Sequence, residues 1–186
     1  MIAAAVVSPS ESNSVSSLAD NDFVLFGLVE QFAQDASSLD AKWKALQREV
    51  HPDKFAAQGA TAQRLAMQWS VRINEAYQRL KDPLKRAAYL CELRGAPINA
   101  ENNTAMPAAF LMQQMEWREA ADDATSDGQI ETLLTEVSAA KQNLLAQCGR
   151  ALDEENTSQA TSDKASGLVR SLMFVDKFES ELEDRL

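Results

Sequence analysis

A single histidine, His51, serves all 186 residues, and that scarcity removes several chemistries at once. A zinc site built on paired imidazoles has no second partner, and any Ser-His-Asp or Cys-His arrangement has to use His51 itself. Cysteine is almost as rare. Cys91 and Cys148 lie far apart with no C-x-x-C spacing, so neither a disulfide framework nor a metal site is expected, and both are read as small buried hydrophobes. Six glycines include no Gly-rich phosphate loop. Hydrophobic residues make up 45% of the chain, yet no run approaches the roughly 20 apolar residues of a membrane span, and "MIAAAVV" is far too short. That opening stretch also lacks the basic flank of a secretory signal and the arginines of a mitochondrial transit peptide. A soluble, cytoplasmic chain with no cofactor, no metal and no membrane partner is expected. Positive charge is the last scarcity. Net charge is -10, which disfavours nucleic acid as a partner, because phosphate recognition needs clustered Lys and Arg.

The charge that is present divides the chain. Between Asn21 and Pro83 eight acids balance eight bases, whereas Leu84 to Leu186 holds eighteen acids against ten bases. Two separate units are expected from that asymmetry. Residues 1–20 are Ser- and Ala-rich with no amphipathic period, and they are read as a disordered tail. "DFVLFGLVEQF" is short and apolar, with Gly27 placed to end a first helical turn or two. "SSLDAKWKALQREV" opens with Ser at a capping position, and Leu39, Trp43, Leu46 and Val50 recur at helical spacing. The outward face of this helix carries Lys42, Lys44 and Arg48. Pro52 pushes His51 out of the α region, so His51, Pro52 and Asp53 fall in an exposed loop that runs to about Gly59. "TAQRLAMQWSVRINEAYQRLKDP" then resumes helical periodicity through Leu65, Trp69, Ile73, Ala76, Tyr77 and Leu80. Two antiparallel helices thus flank the histidine.

Residues 84–104 have helical character as far as Leu93 and then become a Gly-, Pro- and Asn-rich linker. Three helical patterns follow within 105–186: Pro107 to Ala124, Gly128 to Glu155 and Ser158 to Asp184, with breaks at "TSDG" and "ENTS". No strand pattern is present, so the predicted fold class is all-α, an N-terminal helical hairpin followed by a three-helix bundle. The first bundle helix has more apolar surface than one stripe needs. At about 100° per residue, Phe110, Gln114, Trp117, Ala121 and Ala124 share a line, while Leu111, Met112 and Met115 lie about 100° to 200° around from it. These run on into Glu116, Glu119 and Asp123. On the last helix Leu168, Leu172, Val175 and Leu182 share a line, and Phe174 sits about 100° off it. Met-rich apolar surface with an acidic border is typical of protein-binding sites, although a wide helix–helix contact would bury the same residues.

By residue frequency, His-Pro-Asp arises by chance in on the order of one chain in a hundred of this length, and alone it fits a plain helix-terminal turn. Set between a basic amphipathic helix and a long antiparallel one, "HPDKF" resembles the J-domain, the module that stimulates ATP hydrolysis by DnaK-type chaperones. "FVLFGL", "LQREVHPDKF", "INEAYQRLKDPLKRAAYL" and "AFLMQQMEWRE", in that order from about Asp22 to the C-terminus, are similar to the HscB family, J-domain co-chaperones of iron–sulfur cluster assembly. The resemblance implies an L-shaped protein with a J-domain over 21–83 and a scaffold-binding bundle over 105–186. It implies that Lys42, Lys44, Arg48, His51, Pro52, Asp53 and Lys54 act on a DnaK-type chaperone, HscA. It further implies that Leu111, Met112, Met115, Glu116, Glu119, Asp123 and Phe174 hold the scaffold protein IscU. Val29 departs from the family, which often carries Pro after "FGL", and residues 1–20 have no counterpart there. The N-terminal cysteine pairs of some eukaryotic relatives are absent, so no metal is implied. Three other readings stand beside this one: a J-protein for another client, a helical enzyme using His51 as base, and a structural adapter. The exposed convex setting expected for His51 argues against the enzyme, which needs a dry concave pocket.

Overall fold

The computed structural model describes residues 17–98, 106–154 and 158–186. By chain contacts the protein divides into two compact units, Met1–Asp82 and Pro83–Leu186. Among the described residues every regular element is a helix.

The first unit contains α1 (Asp22–Phe26), α2 (Ala36–Glu49) and α3 (Ala60–Lys81), with a 3₁₀ helix over Pro52–Gln58 between the last two. A five-residue helix such as α1 is too short to persist alone, and it is fastened at both ends. Asn21 accepts a hydrogen bond from the Val24 N–H at its start. Gly27, at φ 57°, ends it in a left-handed turn that glycine enters without strain, and the Leu28 N–H reaches back to the Phe23 carbonyl at 2.8 Å. The Asp22 carboxylate is fully buried and paired with two arginines of α3, Arg72 at 2.7 Å and Arg79 at 3.4 Å. Of the tail expected over 1–20, residues 1–16 lie outside the described residues. Residues 17–20 differ from the expectation, for Asp20 accepts from the Ser17 N–H and Arg72 donates to the Leu18 and Asp20 carbonyls.

The cap of α2 also differs from the sequence reading. Asp35, not a serine, occupies it, accepting from the Ser37 hydroxyl at 2.7 Å and the Ser38 N–H at 2.6 Å. Those two bonds hold its pKa below the ordinary carboxylate value. An ionised acceptor gains more than a hydroxyl does at the positive end of a helix. Across the α2–α3 seam, Tyr77 donates to Asp40 at 2.6 Å, Trp43 donates to Asn74 at 2.9 Å, and Gln47 donates to the Ser70 carbonyl at 3.0 Å. One number of each pair rises as the other falls, so the helices run antiparallel. Trp43 also stacks on Tyr77 with ring centroids 4.7 Å apart. Under this polar ladder Leu39, Val50, Ile73, Ala76 and Leu80 are buried together with Phe23 and Phe26 of α1. Pro83 keeps Asp82 extended, which ends α3.

The second unit holds α4 (Pro83–Leu93), α5 (Ala108–Asp123), α6 (Asp127–Leu152) and α7 (Gln159–Glu183). The three bundle helices are thus joined by a fourth, the helical start of the stretch read as a linker. Ala87, Leu90 and Cys91 of α4 are buried, and the helix packs against α6 and α7. Arg94 donates to the Leu152 carbonyl at 2.5 Å, placing a cation at the negative end of α6, and Arg170 of α7 donates to the Ile98 carbonyl at 3.2 Å. Residues 99–105 of the expected linker lie outside the described residues. Between α6 and α7, Lys141 pairs with Asp176 and Glu179, each at 2.6 Å, and Ser138 also donates to Glu179. Burial opposes both charges, and the hydrogen bonds outweigh it. Lys141 is held above the ordinary lysine value and Glu179 below the ordinary carboxylate value.

Two outcomes are expected. Cys91 and Cys148 are fully buried, and burial raises their thiols to about 11 and about 12. At about pH 8 the native chain should resist Ellman's reagent, both cysteines reacting once denaturant is added; fast labelling of either in the native chain would contradict their packing. Glu179 has its folded pKa below the unfolded one, so its contribution is present above the unfolded carboxylate range, roughly 4 to 4.5, and lost as pH falls through the folded value. The melting-temperature gap between wild type and Glu179→Gln should therefore be full at neutral pH and narrow below about pH 4. A gap that widened in acid would reverse the sign assigned to this carboxylate.

Candidate protein-docking sites

The histidine site is built by the way α2 stops. Pro52 imposes an extended backbone on His51, found at φ −59° and ψ 125°, and the α-helical ladder ends with the Val50 N–H bonded to the Leu46 carbonyl. Instead of the irregular loop expected up to Gly59, Pro52–Gln58 winds into the 3₁₀ helix, with Pro52 at its first position and the Lys54 N–H bonded to the His51 carbonyl at 3.0 Å. His51 caps that helix. Its Nδ1 accepts from the Asp53 N–H at 3.3 Å, with the Asp53 carboxylate 3.5 Å from the same nitrogen. The segment packs against α3 with Phe55 half-buried, while His51, Asp53 and Lys54 face solvent. An imidazole and a carboxylate carried on a hydrogen-bonded 3₁₀ helix lose less backbone freedom on meeting a partner than they would on an irregular loop.

Lys44 and Arg48 are exposed four residues apart on α2, on one face of the helix. Lys42 does not join them outward. It is half-buried, and its ammonium donates to the carbonyls of Phe26 at 3.0 Å and Gly27 at 2.6 Å. The last carbonyls of α1 have no partner in their own helix, and a cation from α2 satisfies them. A wheel drawn for α2 alone cannot show a partner supplied by α1.

The second site depends on the rotation of α5 about its own axis. Trp117 is 3% exposed, stacks on Phe178 of α7 at 6.3 Å and donates through Nε1 to Glu136 of α6 at 2.8 Å. These contacts turn the line of Phe110, Trp117, Ala121 and Ala124 onto a core that includes Ile130, Val137 and Val175. The other side of the helix is left uncovered: Leu111 is 43% exposed, Met112 63% and Met115 70%. Glu116, Glu119 and Asp123 are exposed beside them. The wheel and the structure therefore agree on the face, with one difference. Phe174 is half-buried rather than outside the core, packed edge-on to Phe110 and stacked on Phe178, both at 6.0 Å. It belongs partly to the bundle interior.

The sequence reading passed over one residue of this region. Arg118 of α5 lays its guanidinium over the rings of Phe174 at 5.3 Å and Phe178 at 5.8 Å. The signal for Arg118 was available, since its i+7 spacing puts it about 20° from Leu111 on the wheel. Apolar side chains with an acidic border, on a helix whose core side is already occupied, make a surface suited to docking another protein.

The description "HSCB C-terminal oligomerisation domain" fits residues 106–183. The chain is 50% identical over 169 residues to the co-chaperone protein HscB homolog of Burkholderia thailandensis, covering 89% of this chain and 94% of that protein. It is 48% identical over 171 residues to the counterpart from Paraburkholderia xenovorans, covering 90% and 95%. Among solved structures, chaperone HscB from Vibrio cholerae superposes with a TM-score of 0.73 at 36% identity, over 89% of this chain and 96% of that one. Human co-chaperone protein HscB superposes with a TM-score of 0.83 at 24% identity, over 91% and 84%, a likeness of fold.

The two sides of α5 should respond differently to truncation. Trp117→Ala is expected to cost about 3–5 kcal/mol of folding stability, and Met112→Ala or Met115→Ala less than about 0.5 kcal/mol. Denaturant titrations check this. A cost for Met115→Ala equal to that of Trp117→Ala would mean that the methionine is packed rather than presented.

Proposed function

The chain belongs to the HscB family of co-chaperones, and from that footing we propose that it delivers the iron–sulfur scaffold protein IscU to the DnaK-type chaperone HscA and stimulates that chaperone's ATPase. On this reading 21–83 works as the J-domain and 105–186 as the scaffold-binding bundle, with 84–104 joining them. His51, Pro52 and Asp53 meet the chaperone together with Lys44, Arg48 and Lys54, while Lys42 contributes by holding α1 to α2. The exposed cations steer an acidic partner surface, and Asp53 offers its carboxylate to a partner cation. Leu111, Met112, Met115 and the exposed side of Phe174 receive the scaffold, with Glu116, Glu119 and Asp123 as a rim that favours a basic partner. ATP and the cluster stay on the partners, so this chain acts by recognition and carries out no catalysis itself. It works in the cytoplasm, with neither nucleic acid nor membrane as partner. Among the described residues no helix is long and apolar enough to cross a membrane.

The observation that carries this reading is the surplus apolar face of α5, which stays outside a bundle that has already buried Trp117. Steady-state ATP hydrolysis by the cognate chaperone, with this chain and the scaffold added separately and together, is the direct test. His51→Gln is expected to abolish stimulation and leave scaffold affinity within about twofold of wild type, because the two sites lie in separate units. Leu111→Ala combined with Met115→Ala should weaken scaffold binding about tenfold or more. Full stimulation by His51→Gln, or loss of scaffold binding in that variant, would defeat the assignment.

A further inference from the structure

We infer that Arg118 is a specificity-determining residue of the docking face, taking a carboxylate side chain of the docked scaffold protein, an inference that rests on the scaffold-binding reading above. Helix α5 carries one cation against four acids, Glu116, Glu119, Asp122 and Asp123. Asp122, four residues along, is the ordinary helical partner for such an arginine. The guanidinium lies instead over Phe174 and Phe178. Among the described residues no carboxylate forms an ion pair with it. A guanidinium held over aromatic rings is attracted to their π-faces, and these rings accept none of its five N–H donors as a carboxylate would. Stacking also removes rotamer freedom before any partner arrives, which prepares the fork for two parallel bonds to a carboxylate.

Position decides what that fork means for binding. Arg118 lies about 20° from Leu111 around α5, on the seam where α5 meets α7. A partner seated on Leu111 and Met115 therefore covers Arg118 as well. Covering it without an anion leaves a charge desolvated and unpaired, which weakens binding. Apolar contact with methionine tolerates many partners, and this penalty does not. The acidic border attracts a basic surface in general, and a single acid set within that basic surface, opposite Arg118, fixes its register.

A cleft of about 200 Å³ opens beside the guanidinium along the α5–α7 seam. Ala121 and Phe178 form its apolar side, and Arg118, Asp122, Glu181 and Arg185 stand around it. Two cations against two anions give a free inorganic anion little net attraction. A glutamate or aspartate side chain fits better, with methylene against Phe178 and carboxylate on Arg118.

Calorimetric titration of the full chain with the scaffold protein tests this, with Leu111→Ala/Met115→Ala as the control for the docking reading. If that double variant binds like wild type, the docking face itself is misassigned. If it is weakened as expected, Arg118→Met, which keeps a long apolar chain over the rings without the charge, should bind about five- to fifty-fold more weakly than wild type. Arg118→Lys should recover only part of the loss, since an ammonium cannot make the bidentate pair. Raising ionic strength should weaken wild type more than Arg118→Met, a response that loss of packing alone would not produce. An Arg118→Met affinity within about twofold of wild type, or an unchanged salt response, would overturn the inference while leaving the docking reading intact.

Discussion

Helix α5 meets its bundle along one line, and the line is set by Trp117. Burying an indole removes about 150–250 Å² from water, and Ala121 one turn away lets the helix approach closely enough to do it. A rotation of about 100° would bury Leu111 and Met115 instead, worth roughly 1.5–3 kcal/mol each. That gain is offset by exposing the indole, breaking its stack on Phe178 and losing its bond to Glu136. Since α5 cannot satisfy both sides within this unit, its remaining apolar residues stay available to another molecule. The proposed docking face is thus a consequence of core packing.

Much of the positive charge in the first unit works internally. Arg72 and Arg79 hold the buried Asp22, Arg72 also fastens the turn at Ser17–Asp20, and Lys42 closes the end of α1. A balance of eight acids and eight bases therefore overstates the cations available outside. Exposed on α2 and the His51 segment are Lys44, Arg48 and Lys54, with Arg64 exposed near the start of α3, a small group on an acidic chain. The proposed chaperone surface is correspondingly compact, and its geometry depends on the 3₁₀ helix that Pro52 starts.

Arg118 joins the two kinds of constraint. It is held by the aromatic residues of α7 that form part of the core, and it lies beside residues the core leaves out. The α6–α7 network of Ser138, Lys141, Asp176 and Glu179 keeps α7, and with it Phe174 and Phe178, in register beneath α5. Polar bonds outside the proposed docking face therefore help to set its shape.

Helix order, the stops at Gly27, Pro52 and Pro83, and the two-sided character of α5 were legible in the residues alone, because each depends on backbone sterics or on the period of a single helix. The choice of Asp35 over a neighbouring serine as cap was not, since both can accept and only the folded turn selects the ionised group. Nor were the inward turn of Lys42, the half-burial of Phe174, the docking of α4 onto α6 and α7, or the seat of Arg118 on two rings. Each of these depends on a partner from another helix. Local periodicity determines which face a residue occupies, and only tertiary packing decides what stands opposite that face.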